Sequence, residues 1–229
     1  MDSANAAATG ESPPEVAWLL ERADVSDEGR ESAAAATDVD ALLLHLTAGG
    51  HVTDALRVVA AALPPREGIW WAWASATHAA RVAADKAGTE PMLAALAATE
   101  QWIAAPDDAK RRTAWAAADA AGTDSPAGCT AAAVYFVTGS IGPADIPPIP
   151  PPAGLHVTMV GLAAILAAAV DTAHFEALAG AYIKQGLEVI KQLGGWRPSV
   201  ELARAHFELQ RTEHAKVTAP PKAPPAQAN

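Results

Sequence analysis

Glycine and proline punctuation constrains this chain more than any other feature. Gly49-Gly50, Pro64-Pro65, Gly88, Pro106, Gly122, Pro126 and Gly139 follow one another with helix-length stretches between most of them. Each is a place where a helix ends or begins, through a left-handed cap or a missing amide. No stretch alternates apolar and polar residues with the period of two that a half-buried strand requires. Alanine, about a quarter of the 229 residues, loses no side-chain entropy in a helix and pushes the same way.

The residues beside these breaks are the ones helix starts need. Asp38 or Asp40 precedes Leu42, Leu43, Leu44 and Leu46; Thr89 precedes Glu90-Pro91; Asp107 and Asp108 follow Pro106; Ser125 precedes Pro126. Val52, Leu56, Val59 and Leu63 share one helical face before Pro64. Helices are therefore expected at about residues 52–63, 66–87, 90–104, 106–121, 125–138, 155–170, 173–193 and 198–215, with one more before Gly49. The pattern breaks at Pro147-Pro148-Ile149-Pro150-Pro151-Pro152, which can be neither helix nor central strand. Polyproline II, at about 3.1 Å per residue, is its natural form. With Ile146 and Ile149 interleaved, it reads as a rigid connector near residues 143–152 rather than a docking peptide, with proline rings stacked on a tryptophan. The fold class is all-α: a compact array of about eight to ten helices in antiparallel hairpins.

Charge divides the chain. Residues 1–38 form an acidic, largely flexible leader, in which Val16, Trp18, Leu19 and Leu20 mark one short helix over Pro14 to Ala23. Residues 39–215 form a single helical domain, and residues 216–229 a disordered tail of proline, alanine and lysine. Met1 to Gly10 has neither the positive start nor the apolar run of a secretory signal, and one cysteine suits a reducing cytosol, so a cytoplasmic location is expected. Leu155 to Val170 is the most apolar stretch; it is short for a membrane span and reads as a core helix.

A net charge of −10 argues against a nucleic-acid surface. Lys110-Arg111-Arg112, the one basic run, follows Asp107 and Asp108 within a turn and reads as ion pairing on a solvated face. The histidines at 45, 51, 78, 156, 174, 206 and 214 include no pair at chelating helical spacing, so neither metal nor cofactor is expected. Cys129, among small residues, reads as a buried structural thiol. No phosphate loop, dinucleotide fingerprint, nucleophile elbow or paired-carboxylate motif is present, so no catalytic residue is assigned.

The densest feature is Arg66 followed by Trp70, Trp71, Trp73 and His78. On a helix, Trp70 and Trp73 share a face, with Trp71 about 100° away beside His78. Two readings stand: the tryptophans supply core bulk that alanine lacks, so truncating Trp70 or Trp71 would each cost several kcal/mol, on the order of 3–5; or they form an interaction surface or ligand pocket with Arg66 and His78.

Several separated elements also resemble one known family. Ala62-Leu63-Pro64-Pro65-Arg66 with Trp70-Trp71 comes first, then Trp102 before a proline turn, then Arg112 with Ala116-Ala117 and Gly122. Pro126, Tyr135-Phe136, Thr138-Gly139-Ser140, the proline loop and Gly186-Leu187-Glu188-Val189 follow in order. Between about Val39 and Gly195 the chain resembles a bacterial, all-helical family of unknown function, loosely associated with type VI secretion gene neighbourhoods. The resemblance implies no activity and no catalytic residues. The expected function is a non-enzymatic adaptor or accessory protein of a larger assembly, acting on a protein partner. The alternative is a small-ligand-binding domain or enzyme with a pocket around Arg66, Trp70, Trp71 and His78.

Overall fold

The computed structural model describes residues 13–82, 89–143 and 145–218, and among them every regular element is helical. Eleven α-helices run in order: α1 (Pro14–Arg22), α2 (Asp27–Ser32), α3 (Val39–Ala48), α4 (Val52–Ala62), α5 (Pro65–Val82), α6 (Glu90–Ala104), α7 (Asp108–Ala121), α8 (Pro126–Phe136), α9 (Leu155–Ala169), α10 (Phe175–Gln192) and α11 (Trp196–Thr218). A 3₁₀ turn, Thr172–His174, precedes α10. The starts use the caps the sequence offers. Asp38 accepts from the Ala41 amide at 2.7 Å, Asp107 from that of Lys110 at 2.7 Å, and Ser125 from that of Gly128 at 3.0 Å. Thr89 makes no capping bond. The last part of the helix expected to reach residue 87, and residues 219–229 of the expected tail, lie outside the described residues.

Alanine sets how closely the helices approach. Every residue of α8 from Ala127 to Tyr135 is buried, and α8 packs on α5, α6, α7 and α9. Helix α9 lies across α4, α5, α8 and α10, so the most apolar stretch of the chain is core. Among the described residues no single helix is long and apolar enough to cross a membrane. Where even alanine is too large, glycine stands: a Cβ on Gly186 of α10 would come within 2.3 Å of a Val59 methyl on α4 and 3.3 Å of Trp71 Nε1. Gly161 of α9 also faces α4, but a Cβ there would make only ordinary contact, 3.6 Å from Ala60 Cβ.

Two expectations need correction. The charge-rich segment before Val39 is not loose from residue 13 onward: it forms two helices, and Val16, Leu19, Ala23, Val25, Ala33 and Ala36 enter the same core as α4 and α5. What ties it down is Asp54, a buried carboxylate on α4 that accepts from the Ser26 hydroxyl at 2.5 Å and the Ser26 amide at 3.3 Å, and pairs with Arg57 at 3.0 Å. Arg111 is not on a solvated face. It does pair with Asp108, but its side chain is 1 % exposed, and it donates to the carbonyls of Tyr135 at 2.8 Å and Ser140 at 2.9 Å. A buried guanidinium must have its donors filled, and these carbonyls fill them. Of the expected contact between the proline run and a tryptophan, the structure places Pro152 and Trp18 in the lining of a common cleft.

The proline segment is pinned at both ends. The Ile141 amide donates to the Ile149 carbonyl at 2.8 Å, and the Ser140 hydroxyl accepts from the amides of Gly142 and Ile149. The Tyr135 hydroxyl donates to the Ile141 carbonyl at 2.8 Å, and Arg112 reaches the Gly142 carbonyl. Pro150 and Pro151 are buried, while Pro147 and Pro148 are exposed. The connector is thus stapled onto α7 and α8 by Arg111, Arg112 and the Tyr135 hydroxyl, while the Ser140 hydroxyl closes it on itself.

Candidate functional site

Helix α5 carries all five residues singled out by sequence. Its buried face, Gly68, Ile69, Trp71, Ala72, Ser75, Ala76 and Ala79, recurs every three or four residues and packs on α6, α8, α9 and α10. Trp71 is fully enclosed, and its indole N–H donates to the Tyr182 carbonyl of α10 at 2.9 Å. Trp73 is half-buried and donates to the Leu96 carbonyl of α6 at 3.1 Å. Trp70 lies on the outer face, 38 % exposed. Adjacent in sequence, Trp70 and Trp71 are separated by the helix itself.

The two polar members are also apart. Arg66 is exposed and donates through Nε to the Ile103 carbonyl at 2.9 Å, a cation at the negative end of α6. His78 is exposed, with Nδ1 2.8 Å from the Tyr182 hydroxyl and the two rings edge to face. Burial pushes the Tyr182 phenol up to about 12, so the pair supplies no phenolate for a base or nucleophile. Arg66 opposite Ile103 and Trp73 opposite Leu96 fix α5 and α6 as antiparallel. Trp70, one turn from Arg66 on the same face, therefore sits at the level of Thr99 and Glu100. The structure brings Arg66 and Trp70 together on one surface, sends Trp71 to the core, and places His78 on the α10 side.

Little reactive chemistry is assembled elsewhere. Among the described residues no group of three or more His, Cys, Asp or Glu side chains could hold a metal ion. Cys129 is buried, its sulfur 2.9 Å from the Thr123 carbonyl, and burial with nearby Asp124 pushes its thiol up to about 11. Such a thiol is inert at neutral pH.

Sequence reasoning missed two features. Leu202 and Leu209 lie seven residues apart on the outer face of α11 and are more than half exposed, as is Val217 near its end; the i, i+7 spacing was the available signal. His156 of α9 and His206 of α11 stand perpendicular with ring centres 5.1 Å apart. Fifty residues separate them, so no local pattern reveals the pair. The sequence Ala173-His174-Phe175-Glu176 recurs as Ala205-His206-Phe207-Glu208, but the first copy spans the 3₁₀ turn and the start of α10 and the second lies in the middle of α11, so the two are no structural repeat.

A family model described as a family of unknown function (DUF6931) matches residues 42–190, from within α3 to the last turn of α10. No curated protein and no solved structure matches the chain.

Proposed function

The chain belongs to the DUF6931 family, a family of unknown function, so the surface itself has to carry the reading. We propose that the protein is a non-enzymatic adaptor or accessory component of a larger bacterial, cytoplasmic assembly, with the outer face of α5 as its docking surface. The observation that supports this is Trp70. A side chain large enough to be a core anchor lies on the surface with an exposed arginine one turn away, while its neighbour Trp71 fills the core. Tryptophan and arginine are the residues that dominate interface energetics, because they bury large area at low entropy cost and donate in fixed geometry. A secretion apparatus is the assembly that the sequence resemblance points to.

The test is co-purification with the full-length tagged chain in its native host, alongside Trp70→Ala and Arg66→Ala. The reading expects a partner that is recovered with the wild type and lost with Trp70→Ala, while the variant stays folded. Failure to recover any stable partner, or retention of the same partner by both variants, contradicts it.

A further inference from the structure

Helices α1, α9 and α11 line a cleft of about 260 Å³ that none of Arg66, Trp70, Trp71, Trp73 and His78 lines. Its walls are apolar: Trp18 and Phe207 meet edge to face at 6.5 Å, and Leu63 lies beneath. Its polar side chains are Glu21, Arg22, His156 and Thr158. The guanidinium of Arg22 lies 4.5 Å over the Phe207 ring, and its Nε, buried from solvent, has no hydrogen-bond partner. The segment from Pro152 to Thr158 lines the cleft, so the N-terminus of the 15-residue α9 opens into it. That terminus has no side-chain cap and no acid in its first turn. Gly154, at φ 82°, takes a left-handed turn there, which a side chain would strain. A helix start presents partly positive amides; here those of Gly154, Leu155 and Val157 already donate to Gln210 Oε1 and to the Pro152 and Gly154 carbonyls, which leaves the His156 amide for a ligand.

A second, independent feature is His156, at the second position of α9. It lines the cleft, is only 4 % exposed, and its Nδ1 has no partner. A buried ring nitrogen without a partner is costly, and neutral imidazole carries one donor and one acceptor. One adverse charge is present: Glu21 also lines the cleft and pairs with Arg22 from the exposed side.

We propose that this cleft binds a small organic oxyanion, a carboxylate or phosphate monoester carrying an aromatic or branched apolar body. The apolar body lies between Trp18, Phe207 and Leu63, and the oxyanion meets Arg22 and the first turn of α9 in place of Glu21. This inference is separate from the docking face on α5 and stands or falls without it.

The test is an NMR titration of the full-length ¹⁵N-labelled chain with phenylacetate, phenyl phosphate and the neutral benzamide. Saturable shifts of the Arg22 Nε–H and of the amides from Ala153 to Thr158 are expected with one or both anions; which anion saturates identifies the headgroup. Arg22→Gln should weaken binding about ten- to a hundredfold, the worth of a charge-assisted hydrogen bond. Glu21→Gln, which removes the competing carboxylate, should tighten it. Ala203→Leu, which narrows the cleft from α11 without touching any charge, should abolish it and serves if Arg22→Gln loses its fold. The proposal is overturned if neither anion saturates, if benzamide binds as tightly as the anions, or if Arg22→Gln and Ala203→Leu both bind like wild type.

Discussion

Adjacent tryptophans on α5 should respond to truncation very differently. Trp71 is completely buried. Replacing it by alanine removes roughly 150–200 Å² of buried apolar surface, about 4–5 kcal/mol at ~25 cal/mol per Å². The lost indole donor adds about 1 kcal/mol, because the Tyr182 carbonyl, in the interior of α10, keeps its helical donor. Trp71→Ala should therefore cost about 5–6 kcal/mol, at or slightly above the upper end of large aromatic truncations. Trp70 is 38 % exposed. Scaling the same area leaves about 2–3 kcal/mol, and alanine's better helix propensity returns ~0.5, for a net cost of about 2. Urea unfolding of both variants, compared through their midpoints at a common m-value, separates the two. Equal costs, or a greater cost at Trp70, would refute the placement of the two rings and with it the docking face.

Three further outcomes follow from the packing. Gly186→Ala should destabilise by about 1–2 kcal/mol in the same urea assay, since overpacking against the buried Val59 methyl outweighs the gain of up to ~1 in helix propensity; a stabilised variant would mean α10 does not press on α4. Arg111→Leu should cost about 2–4 kcal/mol by stripping the donors from the Tyr135 and Ser140 carbonyls, and should speed amide exchange at Ile141 and Ile149; unchanged exchange would show that the connector is held by something else. The histidine pair predicts an acid response: burial, with His206 nearby, lowers His156 to about 3, and burial lowers His206 as well. A depressed histidine contributes stability that is present above its ordinary value near 6.5 and drains as pH falls toward the folded-state value. Urea midpoints should thus decline between pH 6.5 and 5, by up to about 1.4 kcal/mol per pH unit for His156, and His156→Gln should flatten that slope; an identical slope in the variant would refute it.

The helices were legible because their ends are written locally. Asp38, Asp107 and Ser125 cap the helices they precede, and Pro126 opens α8 at the position where a missing amide costs nothing. What escaped local reading depends on partners distant in sequence. Arg111 looked solvated because its neighbours are charged, yet it stands in line with the buried Ala114 and Ala118, three and seven residues on, and its carbonyl partners come from the last turn of α8 and from just beyond it. The acidic segment looked free because its anchor, Asp54, lies 28 residues past Ser26. Trp70 and Trp71 could be assigned to different faces from helical geometry, but only the arrangement of α6, α9 and α10 around α5 shows which face is covered. The Arg22 cleft draws on four segments about forty residues or more apart, and no spacing rule reaches that far.

Site-specific photo-crosslinking from position 70 of the full-length chain, in its native host, tests the central claim most directly. A crosslinker at 70 should give one discrete adduct, and the same group at Lys184, exposed on α10, should give none. No adduct from position 70, or the same adducts from both positions, would contradict the assignment of the α5 outer face as the docking surface.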